Sequence, residues 1–240
     1  MGMLCLVGAC GGTEHPQSAE GGVSDTSEAS TTAPTGDAMI HPGLTTVATT
    51  SRPTYDVYRS AESATPSHQV SAPEGPGVPL TFVVLDEKDG RLLVQLPERP
   101  NGSTGWIERG GVTLRTHDFH ITVTLADFNI TVWRGDEVIL DAPVGVATDN
   151  TPSPGGVYYT TSLLEPPDPG SVYGTYAYGL SAFSEVLESF SGGPGQLAIH
   201  GTNDDATIGT RVSHGCIRMH NADIEQLVPV LPLGVPVTIT

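Results

Sequence analysis

The hydrophobic pattern in residues 46–115 consists of short apolar runs separated by turn residues. Residues 80–85 (LTFVVL) and 91–96 (RLLVQL) are two such runs, and Lys-Asp-Gly lies between them at 88–90. Aspartate and glycine tolerate the backbone conformations that tight turns require. The pattern therefore predicts a β-hairpin, within a small β module that spans residues 46–115.

Residues 116–240 continue the same kind of pattern and are predicted to form a second domain. Polar and apolar positions alternate at 120–125, as in a half-buried strand, and the runs at 129–133 and 137–140 predict another hairpin. Further strands are expected at 143–148, within 151–159, ending at 199, and at 235–240. One short helix is expected at 221–228, with Asn221 as its N-terminal cap. The fold class predicted is mainly β.

The composition changes in residues 11–45, which are rich in serine, threonine, glycine, proline and acidic side chains. This stretch has no apolar periodicity and cannot bury enough surface to offset the entropy of ordering. We expect a disordered linker. Across the whole chain, 29 glycines and 20 prolines fit a protein of short strands and many turns.

Residues 1–10 are apolar, and Val-Gly-Ala-Cys at 7–10 resembles a bacterial lipobox, in which the cysteine is lipidated after cleavage before it. No basic region precedes the apolar residues, so we expect that the true start codon lies further upstream. On this interpretation Cys10 carries a membrane anchor and residues 11–45 are its spacer. The alternative is a short apolar start without function. The sequence contains no run of 18 apolar residues, so no transmembrane helix is predicted.

The formal net charge of −17 argues against nucleic acid as a partner, because binding to phosphates requires a basic surface. It fits an acidic, soluble surface and leaves room for a local basic pocket.

Cys216 is the only cysteine beyond residue 10, and histidines and glycines surround it in sequence. A thiol attacks as its thiolate, and a neighbouring imidazole can take the proton. His200 and His214 are both candidates for this base. A lone thiol between two histidines therefore predicts a cysteine nucleophile.

Three residues near Cys216 are candidates for supporting roles. Gly215 lets the backbone turn so that amide groups can converge on an oxyanion. Arg218 offers a planar guanidinium that can bind a substrate carboxylate, and a structural salt bridge is an equally good interpretation. Ser213 is expected to organise the loop and to contact substrate. The third member of a catalytic triad stays open, with the carbonyl of Gly201 as one candidate.

The pair His200-Gly-Thr and Ser213-His-Gly-Cys-Ile-Arg218 resembles the signature of the L,D-transpeptidase (YkuD) catalytic domain of bacterial cell walls. The resemblance covers residues 116–240 and implies a β-sandwich-like domain with a short helix after the catalytic cysteine. It implies that His200 is the general base and acid and that His214 lines the pocket. Residues 173–178 match a segment that forms a lid over the cleft, so one of Tyr173, Tyr176 and Tyr178 is expected to contact substrate, and Tyr173 is the candidate. Ordinary packing is the alternative for each of them. The preceding module resembles the SH3-like segment of actinobacterial members.

The resemblance implies a cell-wall enzyme that forms 3→3 peptidoglycan cross-links by acyl transfer, with a thioester on Cys216 and release of D-Ala. Its partners would be the donor and acceptor stem peptides, with carbapenem-type inhibitors reacting at the same thiol and no cofactor or metal. The protein would be extracytoplasmic, anchored in the membrane and facing the wall. Alternatives remain: an L,D-carboxypeptidase, a protein-anchoring transpeptidase, a non-catalytic wall-binding lipoprotein, or a zinc site formed by His200, His214, Cys216 and His220.

Overall fold

The computed structural model describes residues 43–75, 77–190 and 192–240. The predicted lipobox at 7–10, Cys10 and nearly all of the predicted linker lie outside these residues. The first seven strands form one antiparallel sheet in the order β3-β2-β6-β5-β4-β1-β7. Their bounds are β1 Thr45–Thr50, β2 Thr54–Tyr58, β3 His68–Ser71, β4 Leu80–Lys88, β5 Arg91–Gln95, β6 Thr104–Glu108 and β7 Thr113–His117.

The predicted hairpin at 80–96 is confirmed by the antiparallel pairing of β4 with β5. Its turn residues Asp89 and Gly90 both have positive φ, at 53° and 77°, and aspartate and glycine tolerate this conformation. The apolar residues of the hairpin include Phe82, Leu92 and Val94, which are completely buried in a core shared by the first sheet. In β5, the buried Leu92 and Val94 alternate with less buried residues, whereas the first four residues of β4 are all buried.

The remaining strands form an eight-stranded sheet in the order β10-β9-β8-β17-β12-β13-β14-β16 and a small pair, β11 with β15. Their bounds are β8 Phe119–Thr124, β9 Asn129–Arg134, β10 Glu137–Pro143, β11 Val146–Ala147, β12 Gly156–Leu164, β13 Ala177–Phe183, β14 Gln196–His200, β15 Arg211–Ser213, β16 Ile217–Arg218 and β17 Pro236–Ile239. One helix, α1 (Asn221–Leu227), follows β16, and a short 3-10 helix spans Asp205–Thr207. The predicted class, mainly β with a short helix after the cysteine, is confirmed.

Two local predictions need correction. The strand expected at 143–148 is reduced to β11, because β10 already ends at Pro143 and proline cannot donate to a continuing ladder. Asn221 is not the cap of α1: His220 occupies that position without a side-chain hydrogen bond, and Asn221 is the first helical residue. The Asn221 side chain is used elsewhere, in the loops described below.

The two large sheets contact each other through buried polar side chains, and all described residues belong to one compact unit. Tyr159 on β12 is fully buried, and its hydroxyl donates to the carbonyl oxygens of Thr81 (2.9 Å) and Gln95 (3.1 Å) in the first sheet. The Gln95 side chain returns a hydrogen bond to the Val157 carbonyl at 2.8 Å. These directional bonds fix the first sheet against the second.

Candidate active site

The two strands that carry the predicted site lie side by side at the edge of the eight-stranded sheet. β14 and β16 are parallel, with Ile199 opposite Ile217 and His200 opposite Arg218. Ile199 and Ile217 are buried in the core, which fixes the register of the pair. The end of β14 therefore delivers His200 to the cleft that Cys216, just before β16, also lines.

His200 is buried and held in one tautomer. Its Nδ1 lies 2.6 Å from the carbonyl oxygen of Gly201, which can only accept a hydrogen bond, so Nδ1 carries the proton. In the neutral ring, Nε2 then presents a lone pair. Burial lowers the pKa of His200 to about 4, helped by the positive charge of Arg218 and opposed by the Gly201 hydrogen bond. The sequence left open which group orients the imidazole, and in the structure it is the Gly201 carbonyl.

Cys216 is a free thiol whose residue is partly exposed to the cleft. Burial of its side chain raises the pKa, while a hydrogen bond from the Ala198 backbone and the charge of Arg218 act in the opposite direction. With a raised thiol pKa and a lowered imidazole pKa, both Cys216 and His200 are neutral at pH 7 in the free protein. Both shifts favour the neutral thiol and the neutral imidazole over a thiolate–imidazolium pair.

The loop before Cys216 is held by two serines. Ser213 accepts a hydrogen bond from the Gly215 N–H (3.2 Å) and donates one to the Cys216 carbonyl (2.5 Å). Ser153, in the loop before β12, donates to the Gly215 carbonyl at 2.7 Å and is buried. Gly215 has φ +127°, and a Cβ there would lie 2.6 Å from Leu197 Cδ2, so only glycine fits. Because the Gly215 N–H is already used, the Cys216 N–H, which makes no hydrogen bond within the described residues, is the better oxyanion donor.

Arg218 lies opposite His200 in the β14–β16 pair and lines the same cleft as Cys216, and its charge lowers the pKa of both reactive side chains. Its Nε is buried without a hydrogen-bond partner, and no ion pair within the described residues involves it. The sequence allowed Arg218 either to bind a substrate carboxylate or to form a structural salt bridge. No carboxylate among the described residues forms a salt bridge with it. The guanidinium is available to an anion in the cleft.

Aromatic and apolar side chains form the walls of the cleft. Tyr173 meets the His200 ring edge-on, with the ring centroids 5.0 Å apart, and the exposed His214 packs against Phe190 at 5.2 Å. Val172 and Leu187 also line the cleft. Tyr173 is thus at the cleft as predicted. Tyr178 lies on β13 in the core, 1% exposed, which is the ordinary packing that the sequence left as the alternative.

The side chain of Asn221 is the part of the site that the sequence did not reveal. Its Oδ1 accepts hydrogen bonds from the N–H groups of Thr202 (3.1 Å) and Thr175 (3.2 Å). One bond fixes the loop after His200 and the other fixes the loop that carries Tyr173. Nothing in the local pattern distinguishes this role from helix capping, because both partners are distant in sequence.

His220 does not join the other histidines. It pairs with Asp205 at 2.8 Å and lines a separate surface depression. Within residues 43–75, 77–190 and 192–240, no cluster of three or more histidine, cysteine, aspartate or glutamate side chains could hold a metal ion. The four-ligand zinc alternative is therefore not supported. In the same residues, no helix is both long and apolar enough to span a bilayer.

Comparisons with known proteins identify relatives of this chain. Residues 118–239, just over half of the chain, match the L,D-transpeptidase catalytic domain family, YkuD. The putative L,D-transpeptidase YkuD of Bacillus licheniformis is 32% identical over 172 residues, which cover 69% of this chain and 95% of that protein. The YkuD protein of Bacillus subtilis is 34% identical over 52% of this chain and 67% of its own length.

Solved structures of similar proteins include an L,D-transpeptidase from Mycobacterium tuberculosis H37Rv. That protein has a TM-score of 0.43 and 14% identity, over 67% of this chain and 90% of its own. L,D-transpeptidase 3 of the same organism, in complex with a faropenem-derived adduct, has a TM-score of 0.43 and 16% identity, over 67% of this chain and 91% of its own.

Proposed function

The chain belongs to the L,D-transpeptidase catalytic domain family, and from this premise we propose that it forms 3→3 cross-links in peptidoglycan through a thioester on Cys216. The observation that carries the proposal is the pair of reactive groups in one cleft: a partly exposed thiol and an imidazole whose Nδ1–H is committed to Gly201. This leaves Nε2 of His200 as a base.

The first half-reaction transfers the donor acyl group to sulfur. As Sγ of Cys216 attacks the carbonyl carbon between the L-centre of diaminopimelate and D-Ala, its proton passes to Nε2 of His200. The Cys216 N–H stabilises the oxyanion that forms. The C–N bond then breaks, the imidazolium of His200 protonates the departing amine, and D-Ala leaves.

The second half-reaction uses the same two side chains in reverse. The side-chain amine of diaminopimelate on a second stem gives a proton to Nε2 of His200 and attacks the thioester carbonyl. The C–S bond breaks, and the sulfur of Cys216 recovers its proton from the imidazolium. No metal or cofactor takes part in either half. A carbapenem ring would acylate the same sulfur by the first of these steps.

The remaining cleft residues are assigned to substrate binding. Arg218 has a buried, unpaired Nε and would bind a free carboxylate of the donor stem with two parallel hydrogen bonds. Tyr173 and His214 lie on the walls of the cleft and would contact the peptide. Ser213 keeps the cysteine loop in shape through its two hydrogen bonds.

We place this activity outside the cytoplasm, at the cell wall, where peptidoglycan stems are found. The lipobox-like residues 7–10 support a membrane anchor on Cys10, with the residues up to 45 as a spacer. To test the anchor, the protein would be isolated from the membranes of its native host and digested, and its N-terminal peptide would be analysed by mass spectrometry. An unmodified peptide that begins at Met1 would contradict it.

The test of the reaction is incubation of the full chain with disaccharide-tetrapeptide, with products read by mass spectrometry. Dimers that appear together with free D-Ala are expected. Tripeptide monomers alone would make the protein an L,D-carboxypeptidase, and a product joined to a protein lysine would make it an anchoring transpeptidase. Unchanged substrate and no carbapenem adduct on Cys216 would favour a non-catalytic wall-binding lipoprotein.

Three variants make this test specific. Cys216→Ala and His200→Gln should abolish turnover. His220→Gln is the matched control, because His220 is bonded to Asp205 away from the cleft and should leave turnover unchanged. Equal loss in His200→Gln and His220→Gln would contradict the assignment of the base.

A further inference from the structure

Arg99 belongs to the loop that follows β5 in the first sheet, yet its guanidinium binds the catalytic domain. Nη1 donates to the carbonyl oxygen of Pro194 at 2.7 Å, and Nη2 donates to those of Ser184 and Leu187, both at 3.0 Å. The guanidinium also lies over the Phe183 ring, 4.8 Å from its centroid. No carboxylate within the described residues pairs with Arg99, so its charge is used on backbone carbonyls.

The three carbonyl acceptors lie on one short stretch of chain beside the cleft. Residues 184–190, which we call the cleft wall, leave the end of β13, and the chain returns through Pro194 to β14. Leu187 and Phe190 of the cleft wall line the same cleft as Cys216. Arg99 thus joins the start of the cleft wall to the returning strand, as a clasp.

The fit around this clasp is close. A Cβ at Gly195 would lie 2.4 Å from the Leu187 carbonyl oxygen and 3.1 Å from Nη2 of Arg99. Two residues after Arg99, the Asn101 amide gives one hydrogen bond to the Phe183 carbonyl and accepts one from its N–H, both at 2.8 Å. The loop from the first sheet is therefore fixed at the point where the cleft wall begins.

We propose that Arg99 is a positioning residue of the active site: through its three carbonyl bonds it holds the cleft wall in the conformation that binds the donor stem peptide. The first sheet would then contribute to substrate binding by holding one wall of the cleft in place. This inference rests on the proposed function for its substrate. It places Arg99 away from the thiol and imidazole, which are held by β14 and β16.

The position of Arg99 determines which kinetic constant should change. Loss of the clasp would move Leu187 and Phe190, which line the cleft, and would leave the Gly201 bond of His200 intact. A contact made equally in ground and transition state affects KM and not kcat. Arg99→Met should therefore raise the KM for the tetrapeptide donor about tenfold, with kcat within about threefold of wild type.

The experiment compares Arg99→Met with Arg99→Lys and with Arg91→Met. Lysine keeps the charge and cannot reach three carbonyls in a planar fork, so it should restore only part of the affinity. Arg91 is the matched control: it donates to the Ser60 and Ser63 carbonyls in the loop between β2 and β3 and packs on Tyr58. Arg91→Met should lower the melting temperature and leave KM unchanged.

Two further readouts separate positioning from simple stability. The rate at which iodoacetamide alkylates Cys216 should be the same in Arg99→Met and wild type. Phe190→Ala should raise KM in wild type and add little to Arg99→Met, because both changes act on the same wall. A lower melting temperature with unchanged KM in Arg99→Met, or fully additive effects on KM, would overturn the proposal.

Hydrogen exchange keeps this test independent of the reaction. Amides of residues 184–190 should exchange faster in Arg99→Met than in wild type or Arg91→Met. Wild-type protein that turns over no stem peptide would refute the proposed function and not the clasp. Unchanged exchange in residues 184–190 would refute the clasp whatever the substrate.

Discussion

The pKa of His200 predicts an unusual acid limb for the reaction. Burial holds the imidazole neutral down to a pKa of about 4, well below the ordinary value of 6.5. At pH 5, an imidazole with the ordinary value would be only about 3% neutral, whereas one with a pKa of about 4 would be about 90% neutral. The buried environment therefore keeps about thirtyfold more of the base in its active form at pH 5.

The assay is the pH dependence of kcat/KM for tetrapeptide hydrolysis or transfer, from pH 3.5 to 10, at constant ionic strength. The profile reports the macroscopic pKa values of the free protein. The acid limb should fall with its midpoint near 4, and the alkaline limb should lie above the ordinary thiol range because burial raises the pKa of Cys216. An acid limb near 6.5 would refute the buried, neutral imidazole.

The same shift should appear in stability. The unfolded chain protonates this imidazole near pH 6.5, and the folded protein does so only near pH 4, so the unfolded state binds more protons between these values. The contribution of His200 is therefore complete above pH 6.5 and is lost as pH falls toward 4. The difference is at most about 3–4 kcal/mol in the free energy of unfolding, for a pKa lowered from 6.5 to about 4. His200→Gln should remove this part of the pH dependence, measured by urea unfolding at pH 7 and 4.5.

Three further changes test how the site and the sheets are held. Asn221→Ala should lower kcat/KM about tenfold or more and lower the free energy of unfolding by about 2–4 kcal/mol, because two backbone N–H groups lose their acceptor. Asn221→Asp keeps that acceptor and should retain most of the activity. Equal loss in both variants would contradict this role. Gly215→Ala should lower the free energy of unfolding by about 1–3 kcal/mol and remove most of the activity, because φ at this position is +127° and the new Cβ would meet Leu197. A variant with the melting temperature and rate of wild type would refute this expectation. Tyr159→Phe should cost about 1–2 kcal/mol in urea unfolding, since it removes both hydrogen bonds to the first sheet, and unchanged stability would contradict that link.

Local patterns in the sequence predicted several strands and the place of His200 at a strand end. Alternation located β8, and the Asp89-Gly90 turn located the β4–β5 hairpin. The placing of His200 at a strand end was predicted from the apolar residues before it, and β14 confirms it. These features depend on neighbours in sequence, which a single chain displays directly.

Contacts between distant residues could not be predicted in this way. The role of Asn221 depends on Thr175, 46 residues away, and that of Arg99 depends on Pro194, 95 residues away. Each of these side chains has an ordinary local explanation, as a helix cap or as a surface charge. The resemblance to an SH3-like module stays a prediction, because the pairing order of β1 to β7 is observed but the comparisons do not cover that likeness.

The position of β17 has a consequence for how the protein is made. This strand, Pro236–Ile239, lies between β8 and β12, parallel to the first and antiparallel to the second. Until the ribosome has released residue 239, the halves of the catalytic sheet on either side of β17 have no strand to join them. The first sheet is continuous in sequence and can assemble as soon as β7 has emerged. A chain that lacks β17 would therefore display a finished first sheet next to open edges of the second sheet, and its protection from aggregation depends on the last strand to pair.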